Sequence, residues 1–117
     1  MCNRRTLTRL LFMSLAGAVL PAQAQSFPSR PLTMVVPFPA GGITDTVARA
    51  LAQKMGEQLG KPVVVDNRPG GGGQIAAAHV RQQPADGHTL YVAATEMFAI
   101  NPTLFRRFSY DPVKDFT

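Results

Sequence analysis

The chain has 117 residues and a formal net charge of +5. Arg4, Arg5 and Arg9 sit at its start, and from residue 25 onward nine Lys/Arg face seven Asp/Glu, a net +2 that is too small to point to nucleic acid. The one cysteine, Cys2, excludes an internal disulfide, and beyond residue 24 no thiol remains for a metal site or a nucleophile.

Residues 1–24 read as a secretory signal peptide. Three arginines form a positive start, Leu10 to Leu20 is an uncharged apolar run too short for a membrane span, and Ala22-Gln-Ala24 is a small-x-small cleavage site. A buried N-terminal helix is the alternative, and the order of the three features ranks it below. Arg4-Arg5 fits a twin-arginine signal poorly, so the general secretory route is preferred. Cys2 precedes the apolar run and is no lipid-attachment cysteine. Cleavage after Ala24 leaves 93 residues, 25–117, expected in the periplasm and not embedded in a membrane. A chain of that size buries roughly 60–65% of its unfolded surface. Without disulfides it depends on that core.

Leu32 to Phe38 reads as a first strand centred on Val35-Val36. A Pro/Gly turn follows and opens into a helix over Thr44 to Leu59, with Thr44 as its N-cap. Ala48, Ala52, Met55 and Leu59 share one face, and Val47 and Leu51 widen that stripe. Gly60 is the expected C-cap. Pro62 to Asp66 carries Val63-Val64-Val65, a run typical of a strand buried on both faces. Asn67 to Gly73 is a second glycine-rich turn, and Gln74 to Gln83 is a short helix presenting Ile75, Ala78 and Val80. After a turn at Pro84 to Gly87, Thr89 to Ala94 is a third strand. The order β-α-β-α-β predicts an α/β fold with parallel strands and right-handed crossovers. Ligands then sit at the carboxyl ends of the strands, at Pro37–Asp45, Asn67–Gln74 and Thr95–Pro102.

The first of these turns has the chemistry of an anion site. Gly41 and Gly42 lack a Cβ and let a ligand approach the backbone. The free N–H groups of the helix start, together with the helix dipole, favour a carboxylate or phosphate. Asp45 has two readings: helix capping and charge balance, which is favoured, or orienting the loop and meeting a ligand amino group.

Little else suggests catalysis. No Gly-x-Ser-x-Gly is present, and Ser26, Ser29 and Ser109 lie outside any elbow-like turn. His79 and His88 have no metal-ligand spacing nearby and are expected in surface or helix-face roles. Arg106-Arg107 reads as a solvated patch. Gly71-x-Gly73-x-x-Ala76 formally matches a dinucleotide fingerprint, but it lies in the second βα unit, and any four-glycine run meets much of that pattern. Tight turning and helix–strand packing rank slightly ahead of ligand contact there. No cofactor, metal or enzymatic activity is expected.

Five motifs in order carry a family resemblance: Ser29-Arg-Pro-Leu-Thr-Met-Val-Val-Pro-Phe-Pro-Ala-Gly-Gly-Ile-Thr-Asp-Thr-Val-Ala-Arg49, Lys61-Pro-Val-Val-Val-Asp-Asn-Arg-Pro-Gly-Gly-Gly-Gly73, Ala85-Asp-Gly-His-Thr-Leu90, Ala99-Ile-Asn-Pro-Thr-Leu104 and Tyr110-Asp-Pro-Val-Lys-Asp-Phe116. Together they resemble the Bug-type periplasmic receptors of tripartite tricarboxylate transporters. The resemblance implies a type II periplasmic binding protein, whose two α/β lobes close on a small carboxylate and pass it to a membrane permease. It implies a ligand grip by two loops, largely through backbone groups and bound water. The first loop supplies Phe38, Ala40, Gly41, Gly42, Ile43, Thr44 and Asp45, and the second supplies Thr95, Glu96, Ala99 and Asn101.

Some positions depart from the pattern the resemblance carries. Ile43 narrows the first loop, and Gln74 and Ala76 replace the usual Asn and Gly. Glu96 would repel an anionic ligand if it faced the pocket. Either it points to solvent, or the ligand is neutral or carries an amino group. The resemblance covers only part of a first lobe, so residues 25–117 are expected to be a truncated receptor with impaired binding. Two alternatives from other classes remain open: a small exported α/β module that binds a partner protein, and a nucleotide-binding enzyme fragment using Gly70 to Gly73.

Overall fold

A computed structural model describes residues 26–116. The expected leader over residues 1–24 lies outside the described residues. Three strands, β1 (Leu32–Val36), β2 (Val63–Asn67) and β3 (Thr89–Tyr91), form a parallel sheet in the order β2-β1-β3. The α/β alternation expected from sequence is present. Met34 stands beside Val65 and Leu90, and Val35 beside Asp66 and Tyr91. As the central strand, β1 is covered on both faces, and Met34, Val35 and Val36 are fully buried.

Helix α1 (Ile43–Leu59) packs on β1 and β2. Ala48 and Ala52 meet Met34 and Val36, with Met55, Val63, Val65, Leu90 and Val92 packed around them. Alanine at the contact lets helix and sheet approach closely. That approach leaves a narrower buried stripe than expected: Val47 is 61% exposed and Leu51 49%. Their side chains lie beyond the line where the helix touches the sheet. Gly60 closes the helix as anticipated, its N–H donating to Gly56 O.

Helix α2 (Gln74–Arg81) follows a tight turn at Gly71–Gly73 and packs on β3 and β1. Its buried residues are Ala76 and Ala77, and Ile75 is 54% exposed. The chain runs from β1 out to β2 and back past β1 to β3. Right-handed crossovers in opposite directions place α1 and α2 on opposite faces of the sheet. Strand alternation agrees. Met34 and Val36 face α1, while Asp66, on the other parity, lies 3.9 Å from His79 of α2. Val64 shares that second parity and is 55% exposed, contrary to the doubly buried strand expected. The reason is topological: β2 is an edge strand, and α2 leaves its outer face to cover β1 and β3.

Two further expectations change. The Thr95–Pro102 segment is helical rather than a loop. A π turn at Glu96–Ile100 leads into α3 (Asn101–Leu104), and Asn101 N–H donates to Glu96 O. Glu, Met and Ala favour helix, and Pro102 tolerates the first turn of α3. His88 is buried at 5% exposure rather than on the surface. Its Nε2 accepts the Ser29 N–H at 3.3 Å, Asp86 Oδ1 lies 3.3 Å from Nδ1, and the Phe27 ring meets it edge-on. The segment before β1 folds across it, an arrangement that local sequence does not announce.

Candidate functional site

The order β2-β1-β3 puts the reversal of strand order between β1 and β3. In open α/β sheets the crevice beyond the carboxyl ends at such a point is where ligands bind. The two segments that leave those strand ends are the ones expected to hold a ligand.

The first runs from Pro37 into α1. Phe38 is half-buried against the core, and Pro39, Ala40, Gly41, Gly42 and Ile43 are exposed. Gly41 has φ +85°, a left-handed conformation in which a Cβ would be strained. The N-cap is Gly42, two residues earlier than the expected Thr44, and no side chain caps the helix. Thr44 is therefore inside the first turn and not its cap. The first ladder bond is Thr46 N–H to Gly42 O at 3.0 Å. The N–H groups of Ile43, Thr44 and Asp45 precede it and have no intrahelical acceptor. They form a positive helix end with room for an anion.

Asp45 is buried at 3% exposure, and its carboxylate is fully engaged. Oδ2 accepts Gly41 N–H at 2.8 Å and Arg49 Nε at 2.9 Å, and Oδ1 accepts Asn67 Nδ2 at 2.9 Å. The hydrogen bond from Arg49, then those from Gly41 and Asn67, hold its pKa down at about 2. Asn67 Nδ2 also donates to Phe38 O at 3.1 Å, and Arg49 Nη2 donates to Asn67 Oδ1 at 3.0 Å. The loop is thus pinned at Phe38 and at Gly41.

The second segment is the π turn with its flanks. Thr95, Glu96 and Ala99 are exposed, so Glu96 is open to solvent. Asn101 is buried and donates from Nδ2 to Gly72 O at 2.9 Å. Met97 is buried over Gly73, where a Cβ would fall 2.6 Å from its Sδ. Tyr91 donates its hydroxyl to Gly73 O at 3.2 Å, and Tyr110 to Met97 O at 2.8 Å. Burial pushes the Tyr91 pKa up to about 12. Interruptions of α-helical register of this kind recur at functional sites. The glycine turn of β2 serves as packing surface for this segment, which favours the tight-packing reading of Gly71–Gly73.

Arg49 and Tyr91 lie outside the strand-end segments that the sequence marks for ligand, and Asn67 and Met97 fall within them without a role of their own. Asn67 was visible as the last residue of β2 before Arg68-Pro69, but its reach to Phe38 and Asp45 depends on β1–β2 register. A separate groove of about 430 Å³ lies along the outer edge of β3, lined in part by Val80, Leu90, Tyr91, Phe98 and Phe116. Of the segments expected to hold ligand, only Phe98 reaches it. Among the described residues no group of three His, Cys, Asp or Glu could hold a metal, and no helix is long and apolar enough to cross a membrane.

Residues 47–117 match the family described as the tripartite tricarboxylate transporter family receptor, TctC. The BugT protein of Bordetella pertussis is 40% identical over 115 residues, which cover 93% of this chain and 35% of that protein. Among solved structures, the periplasmic binding protein BugD is 42% identical with a TM-score of 0.70, over 76% of this chain and 29% of that one. MatC of Rhodopseudomonas palustris, solved with bound malate, is 45% identical with a TM-score of 0.73, over 78% of this chain and 31% of that one. The chain spans about a third of the length of the curated relatives it matches.

Proposed function

This chain belongs to the tripartite tricarboxylate transporter receptor family, and we propose that it forms part of the first lobe of an exported receptor that captures a small carboxylate. The family is one of solute-binding receptors and not of enzymes. In this reading residues 1–24 direct export to the periplasm, and residues 25–117 carry the ligand-holding part of the lobe. The captured ligand passes to the membrane permease of the transporter.

One observation carries the reading. The segments Phe38–Asp45 and Thr95–Asn101 flank the point where strand order reverses, and the first presents uncapped N–H groups there. Ala40, Gly42, Ile43 and Thr44 hold the carboxylate through backbone donors, while Gly41, its N–H held by Asp45, lets the ligand approach the turn. Thr95, Ala99 and the π turn close the other side. Asp45 sets the loop through Gly41, and Asn101 sets the second segment through Gly72. Malate bound to MatC supports a dicarboxylate of that size. The exposed position of Glu96 is compatible with an anionic ligand.

The test is a nuclear magnetic resonance titration of the ¹⁵N-labelled full chain with malate and, separately, aspartate. Saturable shifts at the amides of Gly41 to Asp45 and Thr95 to Asn101 are expected. Shifts confined to residues of the groove beside β3 that lie outside those segments, such as Val80, Thr89, Leu90 and Phe116, or none at millimolar concentration with a folded spectrum, overturn the reading. Preference for aspartate over malate assigns an ammonium partner to the ligand.

A further inference from the structure

We propose that Asn67 is a positioning residue for the ligand loop, and that the amide at the end of β2 sets the shape of the loop that leaves β1. This inference rests on the reading of Phe38–Asp45 as the ligand-holding loop.

The amide of Asn67 has two N–H donors and one carbonyl, and the structure engages all of its functions. Nδ2 donates to Phe38 O at 3.1 Å and to Asp45 Oδ1 at 2.9 Å, and Oδ1 accepts Arg49 Nη2 at 3.0 Å. Phe38 and Asp45 stand at the two ends of the loop. Asp45 in turn holds Gly41 N–H at 2.8 Å, the point where the backbone turns left-handed. One side chain from a neighbouring strand therefore fixes the loop entry directly and its apex through one carboxylate.

No other side chain of similar size reproduces this set. Aspartate at position 67 has no N–H for Phe38 O and faces the Asp45 carboxylate with a like charge. Alanine leaves the Phe38 carbonyl and Asp45 Oδ1 without their donor. Arg49 still holds Asp45 Oδ2 at 2.9 Å, so these changes loosen the loop before they unfold the helix. Asn67 touches no ligand in this arrangement. It acts through Asp45 and Phe38, and it keeps the Asp45 oxygens turned toward the protein, away from an incoming anion.

The experiment is amide hydrogen exchange of the full chain without ligand, in wild type, Asn67→Ala and Asn67→Asp. At neutral pH both variants are expected to lower the protection factor of Gly41 by about tenfold or more, roughly what loss of one net hydrogen bond of that strength implies. Acidification then separates them. Two carboxylates this close share a proton, so protection of Gly41 returns in Asn67→Asp and stays low in Asn67→Ala. A merely structural role for Asn67 gives no such pH-dependent recovery. Unchanged Gly41 protection in both variants overturns the proposal. If Asn67→Ala does not fold, Asn67→Ser, whose single short hydroxyl cannot serve both Phe38 O and Asp45 Oδ1, is expected to give a smaller loss of protection at Gly41; no loss overturns the proposal. A malate titration of the same variants, expected to weaken about tenfold in each at neutral pH, tests the link to binding. Lost protection without any malate binding in wild type overturns the ligand reading and leaves the loop clamp standing.

Discussion

The α-carbon of Gly73 lies directly beneath Met97: a Cβ there would sit 2.6 Å from Met97 Sδ and 2.7 Å from Cε. This contact joins the end of β2 to the segment that leaves β3. It gives the second glycine run a packing reason. It also makes two sequence motifs, far apart in the chain, into one unit at the edge of the site.

Replacing Gly73 with alanine is expected to destabilise the chain by about 2–4 kcal/mol, since a Cβ at φ +88° is strained and also overpacks against Met97. Urea unfolding measures it. Adding Met97→Ala to that variant should recover part of the overpacking cost, so the two changes are not additive. Strict additivity would show that the contact is not the cause.

Acid should weaken the fold through two carboxylates. Asp45 is lowered from its ordinary 3.8 to about 2, chiefly by the Arg49 hydrogen bond, and Asp86 to about 2, chiefly by that from Arg30. Folded values below unfolded ones mean that the stabilisation is present above about pH 4 and is lost as pH falls through about 2. Asp45→Asn is expected to be less stable than wild type at pH 7, with the gap closing between pH 4 and pH 2. Urea midpoints across that range test this, and a gap independent of pH would rule out the carboxylate as its source.

The two faces of α1 should respond differently to substitution. Val47→Ser, at an exposed position, is expected to change stability by less than about 0.5 kcal/mol. Ala48→Leu, against Met34 and Val36, is expected to cost about 1–3 kcal/mol by overpacking. Thermal melts of both variants make the comparison. Equal losses would place Val47 in the core, as the sequence pattern alone suggested.

Glu96 opens the π turn beside the proposed ligand crevice and is exposed. Through water its charge repels an anion weakly, on the order of 1 kcal/mol at 4 Å and less beyond. Glu96→Gln is therefore expected to tighten malate binding roughly 2- to 5-fold at low salt, with the gain shrinking toward 0.5 M salt as screening grows. A loss of affinity in calorimetric titration would mean that Glu96 meets a cationic part of the ligand.

Much of the proposed site was legible in residue order. Glycines after an apolar strand, with a helix beyond them, pointed to the first proposed ligand segment, and the family resemblance pointed to the second. What misled was local. Thr44 is a good capping residue, but Gly42 holds that position because Asp45 reaches back to Gly41 instead. Glu96 to Ile100 looked like a loop because it sits between a strand and a proline, although its composition favours helix. Val47 and Leu51 widen the apolar stripe of α1 and Val64 belongs to an apolar run, patterns that report an apolar face without saying how wide a neighbour covers it.

The sequence by itself determined the strand–helix alternation, the parallel sheet and the two segments at the strand ends. These follow from hydrophobic period, glycine and proline placement, and the short range over which such residues act on the backbone. Only the tertiary structure decided the order β2-β1-β3, and with it the crevice between β1 and β3. It also decided that Asn67, Arg49 and Asp45 form one network, that His88 is buried under Ser29 and Phe27, and that Gly73 meets Met97. Those contacts join residues from different elements, and their distances depend on strand register and crossover direction, which nearest-neighbour preferences do not encode.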